Sequence, residues 1–221
     1  MEIICTYEGD YIRRHGGRTN PISPSFYVTV PEKFDLKLVT SAGSIHVGDL
    51  EGKIDVKTSG GSLSFENIKG PIDGHTSGGS ITIIRCDDDV DVHTSGGSIS
   101  IGQAKGNIRA KTSGGSINID EVYGYIDAST SGGSVTAHLA EQPRDDCRLS
   151  TSGGSVTVYL AEGIGVDLDA KTSSSGRVKS DMRLQIKNGR VKRNIMAGRL
   201  NGGGPELYLR TSGGNIYIRE I

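Results

Sequence analysis

The chain has 221 residues, of which 33 are glycine, 5% are aromatic and none is tryptophan. Because only 34% of the residues are hydrophobic, a conventional core of large side chains around buried helices is excluded. The 25 basic and 26 acidic residues give a net charge of −1, so the self-repulsion typical of disordered chains is absent as well.

The first segment of the chain, residues 1–39, lacks the repeat that dominates the rest of the sequence. It contains two strand-like runs, residues 2–7 and 26–30, separated by a polar loop, and Pro31 ends the second run. A repeat protein has to hide its terminal edges from further strand addition. We therefore expect residues 1–39 to form an N-terminal cap of strands and loop.

An internal repeat follows this segment. The string Thr-Ser-Gly-Gly-Ser and close variants of it recur at intervals of 18, later of 21, 21 and 39 residues, which indicates about ten repeats. The first residues of the strings are Thr40, Thr58, Thr76, Thr94, Thr112, Thr130, Thr151, Thr172 and Thr211.

Within each repeat, aliphatic and polar residues alternate on both sides of a glycine corner, which is typical of strands. Eighteen residues leave no room for a crossover helix, and one strand pair cannot bury its inner face alone. The sequence therefore predicts an all-β fold, a single-stranded parallel β-solenoid of about ten coils with two short strands per coil. We expect the Ser-Gly-Gly corners to use glycine for positive φ.

Other repetitive β folds fit less well. A left-handed hexapeptide helix needs an aliphatic residue every six positions, and a calcium-binding roll needs aspartate in the glycine corner. An ordinary β-sandwich would not repeat the same residues in the same column. The stretch 173–198 loses the motif but keeps some alternation, so we expect two irregular coils there, within one domain whose solenoid covers residues 40–221.

The repeated Thr-Ser-Gly-Gly-Ser-Ile string, the Val-Thr-Val-Pro entry at 28–31 and the ending over 198–216 resemble the bacterial adhesin-type family of β-strand repeat domains. The resemblance covers nearly the whole chain from about residue 26. It implies a β-solenoid in or near the bacterial cell envelope, without established enzyme activity. The chain shows neither a signal peptide nor a transmembrane segment, so a cytoplasmic location is the alternative.

One candidate site is a cluster on an outer face. Residues 18 apart become neighbours in stacked coils, which would bring two histidines and three aspartates together: Asp55, Asp73, His75, Asp91 and His93. A metal site and a solvated charged surface are the two interpretations. Because lysines flank the column, we favour the surface and predict neither a metal nor a cofactor.

A second candidate is a basic patch for phosphate, anionic glycan or lipid head groups. Its residues lie in a segment with a strong excess of positive charge: Arg177, Lys179, Arg183, Lys187, Arg190, Lys192 and Arg193. Since neither stacked aromatic residues nor a nucleic-acid motif accompanies them, specific nucleic-acid binding is not predicted. A plain exposed face is the other interpretation.

The sequence does not indicate a catalytic site. The serines recur at every corner, which favours a structural role for them, and the sequence contains no nucleophile elbow, metalloprotease motif or phosphate loop. We predict a non-enzymatic structural or adhesive solenoid that presents flat faces to a protein, glycan or envelope partner. The alternatives are a polysaccharide-active β-helix enzyme, with Asp73, Asp91 and Arg109 in one column, and an anionic lipid or glycan scaffold. The sequence does not specify an oligomeric state.

Overall fold

A computed structural model describes residues 25–185 and 191–221, and within these ranges it is all-β without a helix. Contacts divide the chain into two units, Met1–Val30 and Pro31–Ile221. Of the predicted cap, residues 1–24 lie outside the described ranges, and residues 25–30 form no regular secondary structure.

The second unit consists of short strands. In chain order the described strands are β1 (Leu36–Thr40), β2 (Ile45–Val47), β3 (Leu50–Glu51), β4 (Ile54–Thr58), β5 (Leu63–Lys69), β6 (Ile72–Thr76), β7 (Ile81–Cys86), β8 (Val90–Thr94), β9 (Ile99–Ala104), β10 (Ile108–Thr112), β11 (Ile117–Val122), β12 (Ile126–Thr130), β13 (Val135–Leu139), β14 (Cys147–Thr151), β15 (Val156–Leu160), β16 (Val166–Lys171), β17 (Val178–Ser180), β18 (Leu184–Gln185), β19 (Val191–Lys192), β20 (Ile195–Leu200), β21 (Glu206–Thr211) and β22 (Ile216–Glu220).

These strands form two stacked sheets, one twelve-stranded and one ten-stranded. From β4 to β15, successive strands alternate between the sheets, and each pairs in parallel with the strand one coil away, as Ile72 does with Ile54 and with Val90. The predicted parallel β-solenoid is therefore confirmed.

The predicted count of about ten coils is wrong, because about seven turns follow one another in chain order, from β1–β2 to β14–β15. After β15 the spatial order changes: β21 lies between β14 and β16, and β22 lies between β15 and β17. The last coil of the chain is thus inserted between two coils that precede it. Within the stretch 173–198, β17 joins the ten-stranded sheet, whereas β18 and β19 pair antiparallel with β20 at the edge of the twelve-stranded sheet.

The core is a thin layer of aliphatic side chains between the sheets. The aliphatic residues that begin the repeat strands are buried, except Ile45 at the N-terminal edge, which is half-buried. The buried positions are Leu63, Ile81, Ile99, Ile117, Val135, Val156 and Ile216 in one sheet and Ile54, Ile72, Val90, Ile108, Ile126, Cys147, Leu168 and Leu207 in the other.

From Thr58 onward, each threonine of the repeat is buried and joins two coils. Thr94 donates its hydroxyl to the carbonyl of Gly79 in the preceding coil at 2.7 Å and accepts the N–H of Gly97 at 3.3 Å. The second glycine of the corner is required by this close approach, since a Cβ on Gly97 would lie 2.2 Å from the Gly79 oxygen. No glycine of a described Ser-Gly-Gly corner has positive φ, so that expectation is wrong; positive φ occurs at Gly43, in the variant corner of the first coil, and in the opposite corner at Gly52 and Gly70.

Candidate functional site

The predicted cluster on the outer face of the twelve-stranded sheet is brought together in part. A carboxylate oxygen of Asp73 lies 2.8 Å from Nδ1 of His75, and the rings of His75 and His93 are 6.1 Å apart. Asp55 pairs instead with two lysines, Lys37 at 3.4 Å and Lys57 at 3.7 Å. The carboxylates thus face different partners, Asp55 two lysines and Asp73 an imidazole.

The next coil continues this pattern, because Asp91 pairs with Arg109 at 3.1 Å. In the part of the chain that the structure describes, no group of three or more histidine, cysteine, aspartate or glutamate side chains is placed to hold a metal ion. The arrangement is that of a charged surface with ion pairs within strands and between neighbouring strands.

The predicted basic patch is partly assembled at the C-terminal end of the solenoid. The N–H of Val178 in β17 donates to the carbonyl of Arg193 at 3.0 Å, which brings β17 to the turn between β19 and β20. We call the exposed residues around this contact the C-terminal basic cluster: Arg177, Lys179, Lys192 and Arg193. None of them forms an ion pair with another residue in 25–185 or 191–221.

Three members of the predicted patch are left out of this definition. Arg183 is exposed between β17 and β18. Lys187 and Arg190 lie outside the described residues.

A site that the sequence did not indicate lies on the outer face of the ten-stranded sheet. Between β11 and β13 the register shifts, so that two residues of β11 oppose one residue of β13. The two residues are Asp120 and Glu121, and the single residue is His138. Such a bulge re-aims side chains locally, and here it leaves two carboxyl groups beside an imidazole.

A shallow, open concavity of about 640 Å³ lies at this bulge. We call it the step concavity, because the outward column that contains Gln103 and Glu121 ends here. Small residues continue the lining: Gly102, Ala140 and Ala161, with Asp120, His138 and Ile221 completing it. Its volume lies within the range of small-ligand sites.

The carboxylate of Glu121 is held in place by two donors. Gln103 donates through Nε2 to Oε2 at 2.7 Å, and the Tyr123 hydroxyl donates to Oε1. Because this hydrogen bond favours the protonated phenol, it raises the pKa of Tyr123 above its ordinary value. The two donors fix the direction in which Glu121 faces the step concavity.

Aromatic side chains continue from the step concavity toward the C-terminal end of the same face. The ring of His138 packs 4.4 Å from that of Tyr159 in the neighbouring strand. Tyr159 is in turn paired in register with Arg219, and Thr157 with Tyr217. We call His138, Tyr159, Tyr217 and Arg219 the aromatic platform.

The position of Tyr217 is set by its own strand. Asn215 donates through Nδ2 to the Tyr217 hydroxyl at 3.2 Å, and the Arg219 guanidinium lies 5.7 Å from the ring centre. The three aromatic residues of the platform are half-buried, and Arg219 is exposed. The platform therefore presents partly exposed rings whose orientation is fixed by neighbours.

Tyr208 on the twelve-stranded sheet makes a different arrangement. Two guanidinium groups lie over its ring, that of Arg210 at 3.7 Å and that of Arg148 at 4.8 Å. Arg210 also pairs with the carboxylate of Asp169. This ring is therefore occupied by neighbours of its own chain.

The sequence could have indicated part of the aromatic platform, but not the position of Tyr217. His138 and Tyr159 are 21 residues apart, the same interval that separates Thr130 from Thr151, so the repeat register could have paired them. Tyr217 could not be placed in this way, because its coil is inserted out of chain order.

Comparisons with protein-family models, with curated proteins and with solved structures find no match to this chain. The resemblance to the adhesin-type family therefore stays a prediction. Within residues 25–185 and 191–221, no helix has the length and apolarity needed to cross a membrane.

Proposed function

We propose that this chain is a non-catalytic adhesive scaffold that binds a glycan through the aromatic platform and the step concavity. The observation that carries the proposal is the run of His138, Tyr159 and Tyr217 beside the fixed carboxylate of Glu121. An envelope location, proposed on the resemblance alone, agrees with this role.

Sugar rings combine two kinds of surface. Their C–H faces carry partial positive charge and pack against the negative face of an aromatic ring, while their hydroxyl groups need hydrogen-bond partners in the plane of the ring. The platform supplies the rings through Tyr159 and Tyr217. Asp120 and Glu121 supply acceptors at one end of the platform, and Arg219 supplies donors at the other.

The fold supports an extended ligand. The strands from β11 through β13 and β15 to β22 are consecutive neighbours in the sheet, so the site spans three strand spacings, about 14 Å. Residues on regular strands are held more rigidly than residues on loops. A glycan lying across the strands would contact both the step concavity and the platform without reorganising the protein.

Affinity electrophoresis in gels that contain a soluble polysaccharide tests the proposal. A neutral β-glucan, a mannan and polygalacturonate are suitable probes, each compared with a gel without polymer. We expect one or more of them to retard the protein, and we expect Tyr159→Ala and Tyr217→Ala to lose most of the retardation. Loss of one stacking residue removes about 0.5–1.5 kcal/mol of binding free energy.

Tyr208→Ala is the matched control, because it removes a tyrosine from the opposite sheet and should leave retardation unchanged. Circular dichroism and thermal unfolding establish that each variant is folded. The glycan proposal is wrong if no polymer retards the protein, or if the control variant loses as much retardation as the platform variants.

A second candidate function is supported by the C-terminal basic cluster. Its four exposed cations lack ion-pair partners among the described residues and lie on two segments that a backbone hydrogen bond joins, an arrangement that attracts anionic surfaces. We expect sedimentation with vesicles containing phosphatidylglycerol, loss of binding in 0.5 M salt because such charges are screened, and loss in a Lys192→Glu/Arg193→Glu variant. Binding that does not depend on salt would contradict this candidate.

The enzymatic alternative stays a hypothesis. Asp91 and Arg109 form an ion pair, and Asp73 contacts His75, so these side chains engage one another on a sheet surface. A reducing-sugar assay on polygalacturonate, comparing the native chain with an Asp73→Asn/Asp91→Asn variant, decides the point. Activity that the double substitution abolishes would replace the binding proposal by a catalytic one.

A further inference from the structure

The last coil of the chain occupies a position between two earlier coils. β21 is hydrogen-bonded in parallel register to β14 on one side and to β16 on the other. β22 is paired in the same way to β15 and β17. We call the space between β14–β15 and β16–β17 the insertion slot.

The contacts that hold this coil repeat those made between all the other coils. Thr211 donates its hydroxyl to the carbonyl of Gly154 at 2.6 Å, and Thr172 donates to that of Gly214 at 2.7 Å. The inward column is also continued, because Leu207 pairs with both Cys147 and Leu168. The insertion slot therefore recognises any coil that carries this repeat in this register.

The register also allows the insertion slot to close without the last coil. Thr211 is aligned with Thr151, and Arg210 is aligned with both Ser150 and Lys171. A residue of β14 and a residue of β16 that pair with the same residue of β21 are thus 21 positions apart in the sequence. The same interval of 21 separates paired residues of β12 and β14, which stack directly on each other. β16 can consequently stack on β14 directly while the last coil is outside.

The connection that leads into the last coil is a short, sharply turned hinge. It runs from β20, on one side of β16, to β21, on the other side. Three consecutive residues in it have positive φ: Asn201 at 48°, Gly202 at 91° and Gly203 at 88°. Short hinges favour exchange of a terminal element between identical chains, because exchange lets the hinge extend.

We propose that residues 206–221 exchange between two copies of this chain, the last coil of each filling the insertion slot of the other. The partner is a second copy because the insertion slot already accepts this coil in register on both sides. The exchanged dimer keeps every hydrogen bond of the two sheets and changes only the hinge. Exchange requires β16–β17 to separate from the coil, so it is slow in the folded chain and fast on refolding.

The test refolds the full chain from urea at low and at high protein concentration and measures mass by light scattering after gel filtration. We expect monomer at low concentration and a dimer fraction that rises with concentration during refolding. To identify the contact, two differently tagged copies are refolded together in a Cys5→Ser background, one carrying Ser150→Cys and the other Arg210→Cys. A disulfide that joins the two differently tagged chains forms only if the last coil of one copy lies on β14 of the other.

The hinge supplies a matched pair of variants. Gly202→Ala places a side chain at positive φ in open space on the exchange path, and Gly163→Ala does the same at φ 82° in the β15–β16 connection, which both forms share. We expect Gly202→Ala to raise the dimerisation constant roughly fivefold or more and Gly163→Ala to leave it unchanged. Monomer at every concentration, equal effects of the two substitutions, or a dimer without the disulfide between tags would each overturn the proposal.

Discussion

The backbone N–H of Asn215 donates a hydrogen bond to Oγ of Ser155 at 3.1 Å, across 60 residues of sequence. The same bond joins Ser134 to Ser116 across 18 residues elsewhere in the solenoid. Identical local contacts therefore occur whether the two coils follow one another or not. Because the repeat specifies how coils stack and not which coils stack, the last coil can be inserted out of order.

The buried threonine of each corner is expected to contribute strongly to stability. Thr94→Val keeps the shape of the side chain but removes the bond to the Gly79 carbonyl and leaves the Gly97 N–H without its acceptor. We predict a loss of about 1–3 kcal/mol in the free energy of unfolding, measured by urea denaturation. Ser95→Ala, at the exposed neighbouring position, should change it by less than about 0.5 kcal/mol; equal effects would show that the hydroxyl is not a structural bond.

The two glycines of one corner should differ in their tolerance of alanine. A Cβ on Gly61 would lie 1.9 Å from the carbonyl oxygen of Gly43, whereas a Cβ on Gly60 would meet nothing closer than 3.9 Å. We predict that Gly61→Ala lowers the melting temperature markedly by forcing adjacent coils apart, and that Gly60→Ala is close to neutral. Calorimetry of both variants tests this, and a reversed order would contradict the close-approach explanation.

The two buried thiols predict a loss of stability at high pH. Burial raises the pKa of Cys86 and of Cys147 to about 11, from an ordinary value of 9.0. Because the folded pKa is raised, the stabilising contribution is complete below about pH 9 and is lost as pH rises toward 11, where only the unfolded chain ionises readily. Urea unfolding at pH 8 and pH 10 measures the difference.

The matching control replaces both thiols by alanine, which should lower stability at pH 8 and reduce the difference between the two pH values. In the folded native chain, neither thiol should react with a thiol reagent at pH 8, since the thiolate is the reactive form. Rapid labelling of Cys86 or Cys147 without unfolding would show that burial does not control their ionisation.

Much of the fold could be predicted because the repeat is regular. Columns such as Ile81, Ile99 and Ile117 follow from a period of 18, and their burial is confirmed. The inserted coil could not be predicted, since Thr172 and Thr211 both fit the position next to Thr151. Only the strand pairing in the folded structure shows that Thr211, and not Thr172, lies next to Thr151.

The candidate site was predicted less well for the same reason. The outer cluster around His75 was expected from coil register, and the structure shows that its carboxylates face separate partners instead of converging on one point. The step concavity depends on the loss of a single residue opposite Asp120 and Glu121, which alternation does not reveal. The platform depends on Tyr217, whose place follows from the insertion.

The out-of-order insertion underlies both the aromatic platform and the proposed exchange, and one pair of double cysteine variants tests it directly. Ser150 is in register with Arg210 in the adjacent strand, whereas Lys171 lies one strand further away, about 9.6 Å at the usual strand spacing and beyond the reach of a disulfide. In dilute protein we predict that Ser150→Cys/Arg210→Cys forms an intrachain disulfide on mild oxidation and that Ser150→Cys/Lys171→Cys does not. Crosslinking of the second pair instead of the first would contradict the insertion, and with it the place of Tyr217 beside Thr157.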